Sequence, residues 1–535
     1  MSAELTDTRD VPTADKSGTN EKLLFWACFI ALIATAFGFV VRTQIMDDWQ
    51  AEFGLSETQK GEIFGVGLWP FAVSIVLFSL IIDYIGYGKA MAIAFVCHVA
   101  SAVITIFAKP ISGATGLSPY WVLYLGTLIV ALGNGTVEAV INPVVATLFP
   151  TAKTKWLNIL HAGWPGGLVL GGILAILMGS AAWQYKVGLI FLPVIAYGLL
   201  MLGRRFPVNE RVAAGVSYMA MLQQVGFLGA LIVTFMIVSE VGRIFGIPQV
   251  AQWIIIGALS LGYGLYTRSL GQPLFIFLLL IMVPLATTEL GTDSWITDLM
   301  KPEMARFGLN AGWLLVYTSL IMMILRFFAG PIVHKLSPLG LLACSALLAA
   351  CGLVFLSKAS GLLILAAATL YGFGKTFFWP TMLGVVAEQF PKGGALTLNA
   401  TGGVGMLAVG VIGAALLGNI QDKTVDQKLA ATDPQLHQQV VDGEKLSVFG
   451  TYRPIDPKRV EALPAAQQKQ VAAIQETAKK DALMTVAIFP CIMFACYLGL
   501  LLYFQAKGGY QPQTLITEKE EELLMTGGAV GPDEF

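Results

Sequence analysis

The stretch GNGTVEAVINPVVATLFP (133–150) decides how the rest of the chain is read. Its background is apolar, yet Glu138 and the pair Asn142–Pro143 interrupt it. A second stretch, YGFGKTFFWPTMLGVVAEQFP (371–391), repeats the layout: a G-x-G pair, a proline six to eight residues on, then Phe–Pro. The segments that follow also correspond, LNILHAGWPGGLVLGG (157–172) against LTLNATGGVGMLAVG (396–410). Duplicated sets of membrane spans are how many secondary transporters are built, with the site where the two copies meet.

The composition agrees with that reading. Of 535 residues 56% are hydrophobic and 13% charged, the mean hydropathy is +0.72, and a soluble domain carries about 25% charged residues. Runs such as 23–41 and 273–286 are long enough, with their flanks, to cross a hydrocarbon core of about 30 Å. An all-α polytopic protein embedded in a lipid bilayer is expected, and the apolar runs count to about fourteen spans. They divide the chain into an N-terminal tail (1–21), a six-helix half (22–204), a linker (205–220), an inserted transmembrane hairpin (221–270), a second six-helix half (271–507) holding a long loop at 419–481, and an acidic tail (508–535). With the N-terminus cytoplasmic, the inside loops hold Lys89, Lys153, Lys155, Arg204, Arg205, Arg211, Arg268, Lys335 and Lys392. The short outside loops hold fewer, among them Lys109, Lys186, Lys301 and Arg306. This bias predicts both termini in the cytoplasm and the 419–481 loop outside; the expected location is a bacterial inner membrane.

Other classes are disfavoured. The net charge is −1 and no basic patch is interleaved with aromatics, so no nucleic-acid partner is expected. The six cysteines lie in apolar runs without CxxC or Cys/His spacing, so no metal or cofactor is expected. No HExxH or GxSxG pattern points to an enzyme. GFGKT (372–376) is not a phosphate loop, because Thr369 stands where its first glycine is required. No cleavable signal segment opens the chain.

The loop IIDYIGYGKAM (81–91) resembles the G-x-x-x-D-R-x-G-R-K signature of the major facilitator superfamily. Asp83 and Gly86 match it, Lys89 falls one residue late, and Ser79 and Tyr84 replace its first glycine and its arginine. In the second half RFFAGPIVHKLSP (326–338) supplies Gly330 and Lys335, with His334 in place of the aspartate. Within the superfamily the chain is similar to the fucose/glucose/galactose–proton symporters. Three motifs carry that likeness: Glu138–Asn142–Pro143, the asparagine-bearing LNILHA (157–162), and Trp379–Pro380–Thr381. The resemblance implies a major facilitator fold and proton-coupled sugar uptake, with the glutamate of span four in the coupling machinery. One departure bears on substrate and coupling. Where that branch has an aspartate near the end of span one, this chain reads VVRTQIMDDW (40–49), with Arg42 near the acid's place.

Ionisable groups at bilayer depth are costly and face a cavity or a partner. Glu138 is therefore the expected proton carrier; its structural alternative is an ion pair with Arg42. Arg42, Asn142, His161, Trp164, Glu289, Lys375, Trp379 and Asn399 are the expected substrate-binding set. They offer amides for hydroxyl recognition, rings to stack on a sugar, and charges to shape a polar cavity. Glu289 and Asp293 share a helix face at i, i+4, with Lys375 as the opposite charge. Asp83, Lys89, Arg326 and Lys335 are expected at a cytoplasmic gate. The reading is a secondary transporter of a small polar solute, a sugar by proton symport. The first rival is an organic-anion carrier using Arg42, Arg326 and Lys375; a more remote one is a non-transporting sensor or receptor.

Overall fold

The computed structural model describes residues 14–292, 304–305, 308–310, 312–409, 413, 415–447, 450–513 and 515. Most of both expected tails, and Asp293, Lys301 and Arg306, lie outside the described residues. Among the described residues eleven helices are long and apolar enough to cross a membrane. Nine come in succession: α1 (Asn20–Phe53), α2 (Gln59–Ile85), α3 (Tyr87–Ile106), α4 (Pro119–Leu148), α5 (Lys153–Leu177), α6 (Trp183–Met201), α7 (Tyr218–Ile244), α8 (Gln249–Thr267) and α9 (Pro273–Leu290).

The second half is less regular, and among the described residues its remaining expected spans are met by shorter or broken helices. Helix α10 (Gly312–Phe327) has only 16 residues. Helix α11 (Ala329–Lys358) is interrupted by a kink at Ser337, and the apolar run 361–389 is split into α12 (Leu363–Lys375) and α13 (Phe378–Gln389). Helix α14 (Gly394–Ala408) is again short, α15 (Ala415–Thr432) is mostly polar, and α16 (Ala465–Ala506) closes the set. Pro380 explains the split: it sits in the first turn of α13, where a missing amide is tolerated, and it cannot extend the helix before it. Pro143 does not do the same, because α4 runs unbroken from Pro119 to Leu148. The two copies of the opening motif are thus broken only once.

The repeat's glycines set how closely the helices cross. A Cβ at Gly135 would lie 2.2 Å from the Phe71 carbonyl oxygen of α2, and one at Gly374 would lie 2.4 Å from the Ala349 amide nitrogen of α11. The second glycine of each G-x-G pair therefore lets one backbone rest on another. Gly133 likewise faces Cys97 and His98 of α3, whereas Gly372 has nothing within 4 Å. Gly86, in the loop that matches the family signature, has φ 79, and Ser337 of the second-half loop has φ 61. Both loops therefore turn through left-handed backbone, which Gly86 takes without steric cost.

Helices α7 and α8 pack together as a hairpin whose outer face carries exposed Trp253, Ile254, Leu261 and Leu265, an apolar surface suited to lipid. Between α15 and α16 the chain forms a small cap. Leu429, Leu436, Val440 and Val471 make its core, and a two-stranded antiparallel ribbon pairs Lys445–Ser447 with Gly450–Tyr452.

The glycine contacts predict an asymmetry measurable by thermal unfolding. Gly135→Val is expected to destabilise by about 1–3 kcal/mol through overpacking, with a clear loss of melting temperature in detergent. Gly372→Ala has open space and is expected to melt with the parent protein. Equal melting of both variants would contradict the crossing.

Candidate functional site

Prolines at membrane depth create the first requirement of the site. A proline supplies no amide to the carbonyl four residues earlier, and in the bilayer that carbonyl needs a partner from the protein. Pro143 frees Ala139, Pro165 frees His161, and Pro380 frees Thr376. Each of these carbonyls accepts a hydrogen bond from a buried side chain. Asn399 Nδ2 donates to Ala139 at 3.0 Å, Arg326 Nη1 donates to His161 at 2.8 Å, and Arg326 Nε donates to Thr376 at 2.7 Å. Two of these bonds join the first half to the second: Asn399 of α14 to α4, and Arg326 of α10 to α5.

The guanidinium of Arg326 is 2% exposed and needs a counter-charge as well as acceptors. Glu289, also 2% exposed, supplies it: Oε1 accepts from Arg326 Nη2 at 2.7 Å, and Oε2 accepts from the Trp379 backbone amide at 2.8 Å. Lys375 Nζ donates to the Glu289 backbone carbonyl at 3.2 Å and lies 5.6 Å from the centre of the Tyr371 ring. Tyr371 in turn donates to the Thr288 carbonyl and meets Thr292 Oγ1. The cations of this region are therefore engaged within the protein.

Glu138 is placed differently. It is buried on α4, and its Oε2 accepts from Asn142 Nδ2 at 2.7 Å. Among the described residues it has no ion pair. Asn142 Oδ1 accepts from His161 Nε2 at 2.9 Å, which places the imidazole proton on Nε2. A chain of contacts then runs Glu138–Asn142–His161, and the carbonyl of His161 hands it on to Arg326 and Glu289.

Both carboxylates border one cavity between the halves. Its walls include Glu138, His161, Trp164, Glu289, Arg326 and Trp379, and also Phe71, Ile75, Leu290 and Met406. The last four carry no signal in a sequence this apolar. Of the expected binding set, then, His161, Trp164, Glu289 and Trp379 meet at the cavity, and Asn142 stands directly behind it. Lys375 and Asn399 serve the surrounding scaffold through Glu289 and Ala139. The three motifs of the resemblance also converge, because Asn158 of LNILHA donates to Thr381 Oγ1 at 3.1 Å across the halves.

Two expected placements are corrected. Arg42 does not reach Glu138; it lines a separate cavity inside the first half, beside His98 and Trp49. Arg326 does not sit at a gate; it lies in the central network.

The gate region itself uses residues that sequence reasoning did not single out. Asp83 pairs with Arg211, and Tyr87 accepts from Asn209 at 2.8 Å. Lys89 and Lys335 are exposed and make no ion pair among the described residues. The halves are bridged instead by Glu388 of α13, whose Oε1 accepts from the Thr154 amide at 3.0 Å and the Thr154 hydroxyl at 2.6 Å. Lys153 adds bonds to Glu210 at 2.6 Å and to the Ala387 carbonyl at 3.3 Å. The segment after α16 then lies across this end: Tyr510 donates to Glu388 Oε2 at 2.7 Å, and Gln389 Nε2 donates to the Gln511 carbonyl at 2.8 Å. Burial, and next the neighbouring Glu388 carboxylate, push the Tyr510 phenol well above its ordinary range, so it remains a donor. The only hint in the sequence is position: Thr154 and Glu388 flank the two repeated Phe–Pro pairs.

Comparison with known proteins agrees with this architecture. No curated protein matches the chain in sequence. Solved structures match it in fold at low identity. The Escherichia coli proton:xylose symporter XylE is 14% identical, with a TM-score of 0.58 over 95% of this chain and 99% of its own. A variant of the E. coli fucose:proton symporter FucP is 14% identical, with a TM-score of 0.53 over 88% and 98%. The human organic anion transporter TETRAN is 13% identical, with a TM-score of 0.54 over 89% and 99%. The profile of the Major Facilitator Superfamily matches residues 23–414, and the chain belongs to that family of membrane transporters.

Proposed function

We propose that the protein carries a small neutral polar solute, a sugar, together with a proton. One observation carries the proposal: among the described residues Glu138 is the cavity carboxylate without a cation, while Glu289 is held by Arg326 and lies beside Lys375. An uncompensated carboxylate is costly when a cavity closes to water. A proton on Glu138 removes that cost, so closing over solute favours the protonated protein. The same arrangement weighs against an organic anion, because Arg326 already donates to Glu289, His161 and Thr376. The sugar–proton symporters and the organic anion transporter share the fold, so the choice rests on these charges.

In this reading Trp164 and Trp379 stack on the apolar face of the sugar, and His161 and Glu138 meet its hydroxyls. Asn142 transmits the protonation state of Glu138 to His161, whose carbonyl is tied to the second half through Arg326. The halves, 22–204 and 271–507, rock about this midplane network, and the pair Thr154–Glu388 with the Tyr510 strap closes one end. The loop charges support a reading with that end and both termini in the cytoplasm and the 419–481 cap outside, and a bacterial inner membrane is part of the same proposal. Residues 221–270 add a lipid-facing hairpin.

Transport into proteoliposomes tests the coupling. With the parent protein an inward pH gradient should drive sugar above its outside concentration. Glu138→Gln should exchange sugar across the membrane yet no longer concentrate it. Concentrative uptake by that variant at the parent level would refute the coupling role. The two carboxylates should also separate in stability. Glu289→Gln leaves Arg326 without its counter-charge and is expected to cost about 3–5 kcal/mol, seen as a large fall in melting temperature. Glu138→Gln breaks no ion pair and should melt close to the parent.

A further inference from the structure

The cavity beside Arg42 is distinct from the transport cavity, with which it shares no lining residue. It lies inside the first half, between α1, α3, α4 and α6. Along one face of α1, Arg42, Ile45 and Trp49 border it at i, i+3 and i+7. Val41, Val130 and Ile190 make the walls aliphatic, and His98, Ser101 and Thr105 of α3 form a polar edge.

Arg42 is half-buried, and among the described residues it has no hydrogen bond or ion pair. Its acidic neighbours in the chain are engaged elsewhere. Asp47 pairs with Lys60 at 2.7 Å, Asp48 faces Lys186 at 3.7 Å, and Glu52 accepts from the Trp183 indole at 2.6 Å. Across the helices Glu62 accepts from Tyr120 at 2.7 Å. His98 offers no counter-charge either, since its ring nitrogens meet Asn134 at 2.9 Å and Tyr197 at 3.0 Å. Two further polar groups stand open nearby. Trp49 Nε1 and Thr127 Oγ1 are buried without a partner among the described residues. The Thr127 methyl and Arg42 Nη1 approach the same point at Gly67, 3.5 and 3.7 Å from where its Cβ would be.

A guanidinium that keeps its fork free in an apolar wall is a carboxylate or phosphate receptor. We infer that this cavity binds an amphiphilic anion, its carboxylate or phosphate head on Arg42 and its aliphatic body along Val41, Ile45 and Val130. The ligand is either a soluble short-chain acid or the head of an anionic lipid. In both cases it stabilises the first half as a unit, and it is not the transported solute.

Binding to the purified full-length protein tests this, with hexanoate as the soluble probe and its uncharged isostere hexanamide as control. Calorimetry should give saturable binding of hexanoate and none of hexanamide, with affinity falling at least about tenfold (about 1.4 kcal/mol) in Arg42→Gln and less in Arg42→Lys. In nanodiscs, a melting rise on replacing phosphatidylcholine by phosphatidylglycerol that Arg42→Gln abolishes assigns the site to lipid. Hexanoate binding without that rise assigns it to a soluble acid. Equal responses of Arg42→Gln and the parent, or no response to either probe, overturn the inference. Glu138→Gln should bind the anion like the parent, so failure of the coupling reading leaves this result untouched.

Discussion

Arg326 holds the centre of the molecule together because it meets two needs with one side chain. Pro165 and Pro380 each leave a carbonyl without its helical amide, and both carbonyls lie where water is scarce. The guanidinium donates to both, at His161 and Thr376, and gives its remaining charge to Glu289. A lysine could not do this, since a single ammonium lacks the planar fork that reaches three acceptors in fixed directions. Glu289 is thereby tied to Arg326 and to the Trp379 amide. The proline kinks that shape the cavity and the ion pair that seals it are one construction.

The duplication gains a chemical meaning from this arrangement. Aligned on Pro143 and Pro380, Glu138 of the first copy corresponds to Lys375 of the second. The second copy places a cation where the first places an acid, and the cation turns to the Glu289 carbonyl instead of crossing to Glu138. The freed carbonyls are also met differently, by a neutral amide at Ala139 and a guanidinium at Thr376. One copy therefore holds a carboxylate that has no ion pair among the described residues, and the other a set of charges fixed by mutual contact.

Much of this was legible in the sequence, and the failures have physical causes. The repeat marked both close crossings through Gly135 and Gly374, and it brought Glu138, His161, Trp164 and Trp379 forward as cavity residues. Arg326 was misplaced because it adjoins a loop motif. In the last turn of α10, however, a side chain leans back towards the helix N-terminus, which carries the guanidinium inwards. Arg42 was misplaced because α1 is buried on nearly every side, and a helix apolar all round has no periodicity to say which face meets which neighbour. The Tyr510 strap could not be read at all. Its function depends on where the chain passes after α16, and no local pattern encodes that.

The contacts between the halves differ in kind at the two depths where they occur. At the midplane the acceptors are backbone carbonyls of Ala139 and His161, which stay on their helices whatever rotamers change around them. At the end closed by Glu388 most bonds run between side chains, with the Thr154 amide and the Ala387 carbonyl as the backbone partners, and the same carboxylate is shared by Thr154 and Tyr510. A carboxylate exposed to water gains new hydrogen bonds when such contacts open, so their net cost is small. A freed carbonyl at membrane depth gains none. In the proposed rocking cycle the Glu388 contacts are therefore those expected to break, and the proline carbonyls those about which the halves are expected to turn. The Tyr510 strap then acts on the easier side of that balance, since each bond it makes to α13 must be lost before that end can open.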